Sequence, residues 1–167
     1  RTRGLLPDAR GNAAPPITMS WCQGLSGIGP VLLLAGIALD DPVLASLASE
    51  TADACVSYIP RLTVPARCCG AAGVGNFLIE MANTSQDERY WQAALSVGRQ
   101  MLLRSGGPAG HRIFARDTVR SKATSWAFGN AGLLSFFRRL ARPGEPDCLP
   151  LPGPGTDAGG HSSLHSA

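Results

Sequence analysis

The sequence predicts an all-α chain folded as part of an α/α toroid, two concentric layers of helical hairpins. Three observations predict it. A glycine-led segment recurs three times, and each copy runs into a helix that is apolar on almost every side. The stretches after the first two copies carry the 3.6-residue periodicity of one-sided amphipathic helices. A helix apolar all round must be covered all round. Gly-led helices inside and amphipathic helices outside meet that requirement, and the loops ahead of the inner helices then face a common central space.

The elements follow in order. Residues 1–19 read as an irregular lead-in, and the run from Arg1 to Pro7 has no long apolar stretch of the kind a signal peptide needs. The first copy is Ser20-Trp21-Cys22-Gln23-Gly24-Leu25-Ser26-Gly27-Ile28, continuing through Val31 to Leu34. Asp41 followed by Pro42 opens an amphipathic helix, an N-cap acceptor with proline at the first helical position. Leu44, Leu47, Ala48, Cys55 and Tyr58 fall on its inner face, and Glu50, Asp53 and Ser57 face away.

The second copy is Cys68-Cys69-Gly70-Ala71-Ala72-Gly73-Val74-Gly75-Asn76-Phe77. Ser85 with Glu88 then reads as a capping box. It would open a helix with Trp91, Ala94, Leu95, Met101 and Leu102 on one stripe. His111 to Asp117 alternates weakly, as a short hairpin or closing loop would. The third copy is Ser125-Trp126-Ala127-Phe128-Gly129-Asn130-Ala131-Gly132-Leu133, continuing to Phe137. The domain proper spans residues 20–142. From 143 to 167 Pro, Gly and Ser dominate and helix formers vanish, the composition of a disordered tail.

Composition narrows the function. The 167 residues suffice for one domain with a core. Twenty glycines and 13 prolines against only 6% aromatic residues point to close backbone packing and many loops. The net charge is +3, and Lys122 is the only lysine among 15 basic residues. The densest basic stretch, Arg112 to Lys122, is interrupted by Phe114, Asp117 and Val119. A nucleic-acid partner needs a clustered basic face, and none is expected here. The longest apolar candidate, Ile28 to Leu39, falls short of a membrane span. Five cysteines without secreted-type spacing favour a reducing compartment, the cytoplasm.

The cysteines are the chemistry-bearing residues. Cys69 stands immediately before Gly70, Cys68 adjoins it, and Cys22 precedes Gln23-Gly24. If the copies are equivalent, the three thiols meet at one rim of the toroid, where soft thiolates select zinc over harder cations. A vicinal Cys68–Cys69 disulfide, or plain buried thiols acting as small hydrophobes, are the alternatives that these residues leave open. Cys55 lies on an apolar helix face and reads as core, and Cys148 is a tail thiol.

Ser-Trp-Cys-x-Gly at positions 20–24 resembles the Trp-Cys-x-Gly motif of LanC-like lanthionine synthetase cyclases. Arg67-Cys68-Cys69-Gly70-Ala71-Ala72-Gly73 is similar to that family's Cys-His-Gly motif in a Cys-Cys-Gly form, and the third copy resembles the last inner helix of the fold. The likeness runs from about Ser20 to Leu140, the C-terminal portion of such a domain. It implies that Cys22, Cys68 and Cys69 bind Zn2+, and that the activity is addition of a peptide cysteine across dehydroalanine or dehydrobutyrine. Trp21 and Gln23 would then border the substrate cavity.

The implied partners are a dehydrated precursor peptide and a kinase or dehydratase region of the same synthetase. The resemblance also implies a catalytic His and Asp in repeats upstream of the Trp-Cys segment, where only 21 residues precede Cys22 and none is His. His111 is the sole histidine outside the tail and a weak catalytic candidate, and His161 and His165 match no motif. A catalytically inert zinc-binding module that holds peptide or protein partners is the alternative. Fewer than half of the family's seven hairpins would be present, leaving apolar inner helices exposed at an open edge. Trp21 and Trp126 are expected between the helix layers, and Asn76 and Glu80 in structural hydrogen bonds.

Overall fold

The computed structural model describes residues 19–114 and 124–144. Among these residues five α-helices carry the fold: α1 (Leu25–Leu39), α2 (Pro42–Tyr58), α3 (Ala71–Ser85), α4 (Glu88–Arg104) and α5 (Asn130–Ala141). A 3-10 turn (Ile59–Arg61) follows α2. Among the described residues there is no β-strand, only an isolated bridge between Gly106 and Ile113. The expected hairpin reduces to that bridge over 106–113, and its remainder lies outside the described residues. So do nearly all of the lead-in and the tail.

Two helical hairpins and one further inner helix make the partial toroid. α1 pairs with α2, and α3 with α4, while α1, α3 and α5 lie side by side with α3 central. Asp41 caps α2 as its sequence predicts, its carboxylate accepting from the N–H groups of Val43 (2.8 Å) and Leu44. The cap of α4 differs. Ser85 is the last residue of α3, its hydroxyl donating to Met81 O, and Asp87 caps α4 by accepting from Arg89 N–H at 2.9 Å. Asp87 is the residue next to the helix, and its carboxylate is the stronger acceptor, so the Ser85/Glu88 box does not form.

The inner layer is joined by one repeated contact. Phe77 of α3 lies over Gly29 of α1, and Phe136 of α5 lies over Gly75 of α3. Each ring sits four residues after the second glycine of its copy, and each receiving glycine sits two residues after it. A Cβ on Gly29 or Gly75 would come within 2.1 and 2.4 Å of the ring it receives. The same rule marks the free edges. Val31, the α1 counterpart of the rings, is 63% exposed, and Leu134, the α5 counterpart of the receiving glycines, is 69% exposed. α3, covered on both sides, is buried almost throughout, whereas Ile28, Leu34 and Ile37 of α1 are open as expected of an edge.

The outer faces follow their periodicity except at Leu47 of α2 and Leu102 of α4. Ala48, Ala52, Cys55 and Tyr58 of α2 are buried, but Leu47 is 41% exposed. In α4 the stripe runs through Tyr90, Ala94, Val97 and Met101, and Leu102 turns outward. Tyr90 also ties the outer helices together, its hydroxyl donating to Asp53 at 3.1 Å. At the other end of the inner layer, Arg139 of α5 is buried at 1% exposure. It donates to Asn76 Oδ1 at 2.9 Å and pairs with Glu80 at 2.6 Å. Asn76 and Glu80 thus hold α5 against α3, the structural role that their place on an apolar helix suggested.

Candidate metal centre

The three copies superpose in a register that their glycines set. Gly27, Gly73 and Gly132 each sit over the carbonyl oxygen of the residue six positions earlier: Trp21, Arg67 and Trp126 respectively. A Cβ there would lie 1.8 to 2.2 Å from that oxygen. Only glycine permits such an approach. The register makes Cys22 equivalent to Cys68 and to Ala127, and makes Cys69 equivalent to Gln23. Neighbouring loops are then laced together in order. Trp21 N–H donates to Cys68 O at 2.8 Å, and Cys68 N–H donates to Ala127 O at 2.9 Å.

This lacing brings Cys22, Cys68 and Cys69 to one point, their sulfur atoms all within 4.8 Å of one another. Cys22 Sγ is 3.5 Å from Cys69 Sγ, which is 3.5 Å from Cys68 Sγ. All four described cysteines are free thiols, so the vicinal disulfide is not formed. Cys68 is buried, Cys69 half-buried and Cys22 exposed, so the group opens to solvent on the Cys22 side. The sulfurs lie in the loops just ahead of α1 and α3, where the positive ends of the helix dipoles favour negative charge.

The thiols are electrostatically unequal. Hydrogen bonding from Cys68 holds Cys22 below its ordinary value; burial opposes this, and Cys69 and Ser20 add to the lowering. Burial pushes Cys68 up to about 12, reinforced by hydrogen bonding and negative charge from Cys22 and Cys69. Cys69 is raised as well, chiefly by burial. Negative charge therefore falls most easily on Cys22, and burial disfavours it on Cys68 and Cys69. Tetrahedral thiolate ligands 2.3 Å from a metal stand about 3.8 Å apart. The observed sulfur triangle has that scale, and the donor set fits a soft metal ion with one position left over.

A cleft of about 270 Å³ is lined by Trp21, Leu33, Arg67, Asn76, Phe77 and Glu80, among others, and none of the three sulfur-bearing residues is in its lining. Trp21 borders this cleft, and Gln23 is not in its lining. Gln23 is exposed, and its backbone N–H donates to Ser20 Oγ at 3.2 Å. The tryptophans are not between the helix layers. Trp21 and Trp126 pack against each other across two loops, edge to face at 5.6 Å, because the glycine register puts both at the same repeat position. His111 is exposed in the turn after α4, its N–H donating to Pro108 O, and stands outside the sulfur group. Residue-type reasoning missed Arg67. It is buried at 1% exposure, and its guanidinium lies 4.5 Å from the Trp126 ring centre. Its adjacency to Cys68 and its repeat equivalence to two tryptophans were the available signals.

A model of the lanthionine synthetase C-like proteins matches residues 2–151. The chain belongs to this family. The match takes in all three glycine-led copies, all five helices and the sulfur group. No curated protein matches the chain. Among the described residues of this LanC-like chain, no helix is long and apolar enough to cross a membrane.

Proposed function

We propose that Cys22, Cys68 and Cys69 hold a zinc ion and that the site prepares a peptide cysteine for addition to dehydroalanine or dehydrobutyrine, the ring-closing step of lanthipeptide biosynthesis. The observation that carries the reading is the convergence of three free thiols within 4.8 Å at the inner-helix loops of a LanC-like fold. A zinc ion bound there supplies one thing, the conversion of an incoming thiol to thiolate at neutral pH. The rest falls to the chain. Gly27 and Gly73 fix the loops, the laced peptide groups hold the sulfurs at ligand spacing, and the exposed Cys22 side leaves an approach for the substrate.

The reaction balances without a further reagent. Sulfur bonds to the β-carbon, the double-bond pair moves toward the α-carbon, and that carbon takes the proton which the thiol released. In this reading the proton arrives from solvent or from a group in the repeats that the family places upstream. The substrate is a dehydrated precursor peptide that reaches the sulfurs from the exposed Cys22 side, past the exposed Trp21 and Gln23. The partner region is the kinase or dehydratase portion of the same cytoplasmic synthetase.

The test is conjugation of a cysteine peptide to a dehydroalanine peptide by the zinc-loaded chain. Zinc-dependent product is the expected result. Zinc binding with no product above the rate of free zinc refutes the catalytic reading and leaves a zinc-binding module.

A further inference from the structure

The third glycine-led copy has Ala127 where the other two have Cys22 and Cys68, so it offers the site no sulfur at that position. Its loop nonetheless packs directly against the other two. The Trp126 ring meets Trp21 edge to face at 5.6 Å, with 81° between the ring planes. Its face carries the Arg67 guanidinium at 4.5 Å. Trp21 and Arg67 are the residues immediately before Cys22 and Cys68, so a shift of either backbone moves a sulfur. The same loop supplies the Ala127 carbonyl that accepts from Cys68 N–H at 2.9 Å.

We propose that Trp126 is a positioning residue of the metal centre, its indole ring setting the distance between the Cys22 and Cys68 loops. The inference rests on the metal-centre reading above and extends it to a residue that donates nothing to the metal. Two features make an aromatic face necessary rather than a volume of any shape. The edge-to-face contact needs a ring quadrupole on both partners. The guanidinium is buried at 1% exposure, so its attraction to the ring face is little screened by water. A leucine would fill much of the space and hold neither neighbour at a fixed angle. Supporting groups of this kind alter metal affinity by roughly 10–100-fold when removed.

The experiment compares the full chain with Trp126→Phe and Trp126→Leu. Zinc affinity is read by competition with a chelator, and the thiolate-to-metal absorption of the cobalt form reports ligand geometry. Trp126→Phe is expected to stay within a few-fold of the parent, and Trp126→Leu to bind about 10–100-fold more weakly with an altered cobalt spectrum. Equal affinities in the two variants overturn the proposal. If Trp126→Leu loses its helical circular dichroism, a ring-fluorinated tryptophan at 126 replaces it. That side chain keeps the shape and drains the negative face, and is expected to weaken binding; unchanged affinity overturns the proposal. A parent chain that binds no zinc overturns the metal-centre reading itself and takes this inference with it.

Discussion

Gly75→Ala places a single methyl at the joint between α3 and α5. Its Cβ would lie 2.4 Å from Phe136 Cε2 and 2.5 Å from Cζ, and Phe136 is fully buried with no path for its ring to solvent. Ordinary carbon contact near 3.5 Å requires a displacement of about 1 Å. Overpacking of this kind costs about 1–3 kcal/mol, and alanine's better helix propensity returns about 1 kcal/mol. The expected net destabilisation is about 1 kcal/mol, or roughly 4 °C in Tm for a domain of this size. The sharper expectation is its reversal. Phe136→Leu alone opens space and costs about 1 kcal/mol, but in the Gly75→Ala background it makes room for the methyl. A double-mutant cycle by urea denaturation should therefore give a double variant more stable than the sum of the single effects. A Gly75→Ala chain more stable than the parent, or strictly additive effects, would refute the ring-on-glycine account of the inner layer.

Other consequences follow from named contacts. Arg139→Met should destabilise the chain by about 3 kcal/mol in denaturant melts, because it strands buried Asn76 and the Glu80 carboxylate. Glu80 is 34% exposed, which keeps the loss at the low end for a buried pair. In metal-free protein, iodoacetamide should label Cys22 first, with a rate that rises through a midpoint below the ordinary thiol value. Cys55, which burial pushes up to about 12, should stay unlabelled up to pH 9. The raised value also gives a linkage sign: stability contributed by protonated Cys55 is complete below the unfolded thiol pKa and declines as pH climbs from about 9 toward 12. Cys69→His removes one negative charge from the ligand set and should keep zinc while slowing thiol addition. A faster addition rate at unchanged zinc content would contradict that charge argument.

The sequence exposed the fold where periodicity and repetition were strong. Three Gly-x-x-Gly copies, the Asp41-Pro42 start and the mid-helix stripes all read through, and so did the open apolar edge at Ile28 and Leu34. The convergence of Cys22, Cys68 and Cys69 was legible because Cys22 and Cys68 hold equivalent loop positions of neighbouring repeats and Cys69 adjoins Cys68. What stayed hidden depended on backbone register and on long side chains. The pairing of Trp21 with Trp126 needs the knowledge that Gly27 and Gly132 rest on those two carbonyls. Arg67 and Arg139 look like surface charges in a sequence, and only the packing of Trp126, Asn76 and Glu80 around them makes burial tolerable. The Ser85 capping box was a motif match defeated by a better acceptor two residues on.

The central claim is that three cysteines form one metal centre. Zinc content per chain, measured by native mass spectrometry on the full chain and on Cys22→Ser, Cys68→Ser, Cys69→Ser and Cys55→Ser, tests it most directly. The account predicts one zinc in the parent and in Cys55→Ser, with loss or marked weakening in each of the other three. A parent without zinc, or a Cys22→Ser chain that binds it as tightly as the parent, would contradict it.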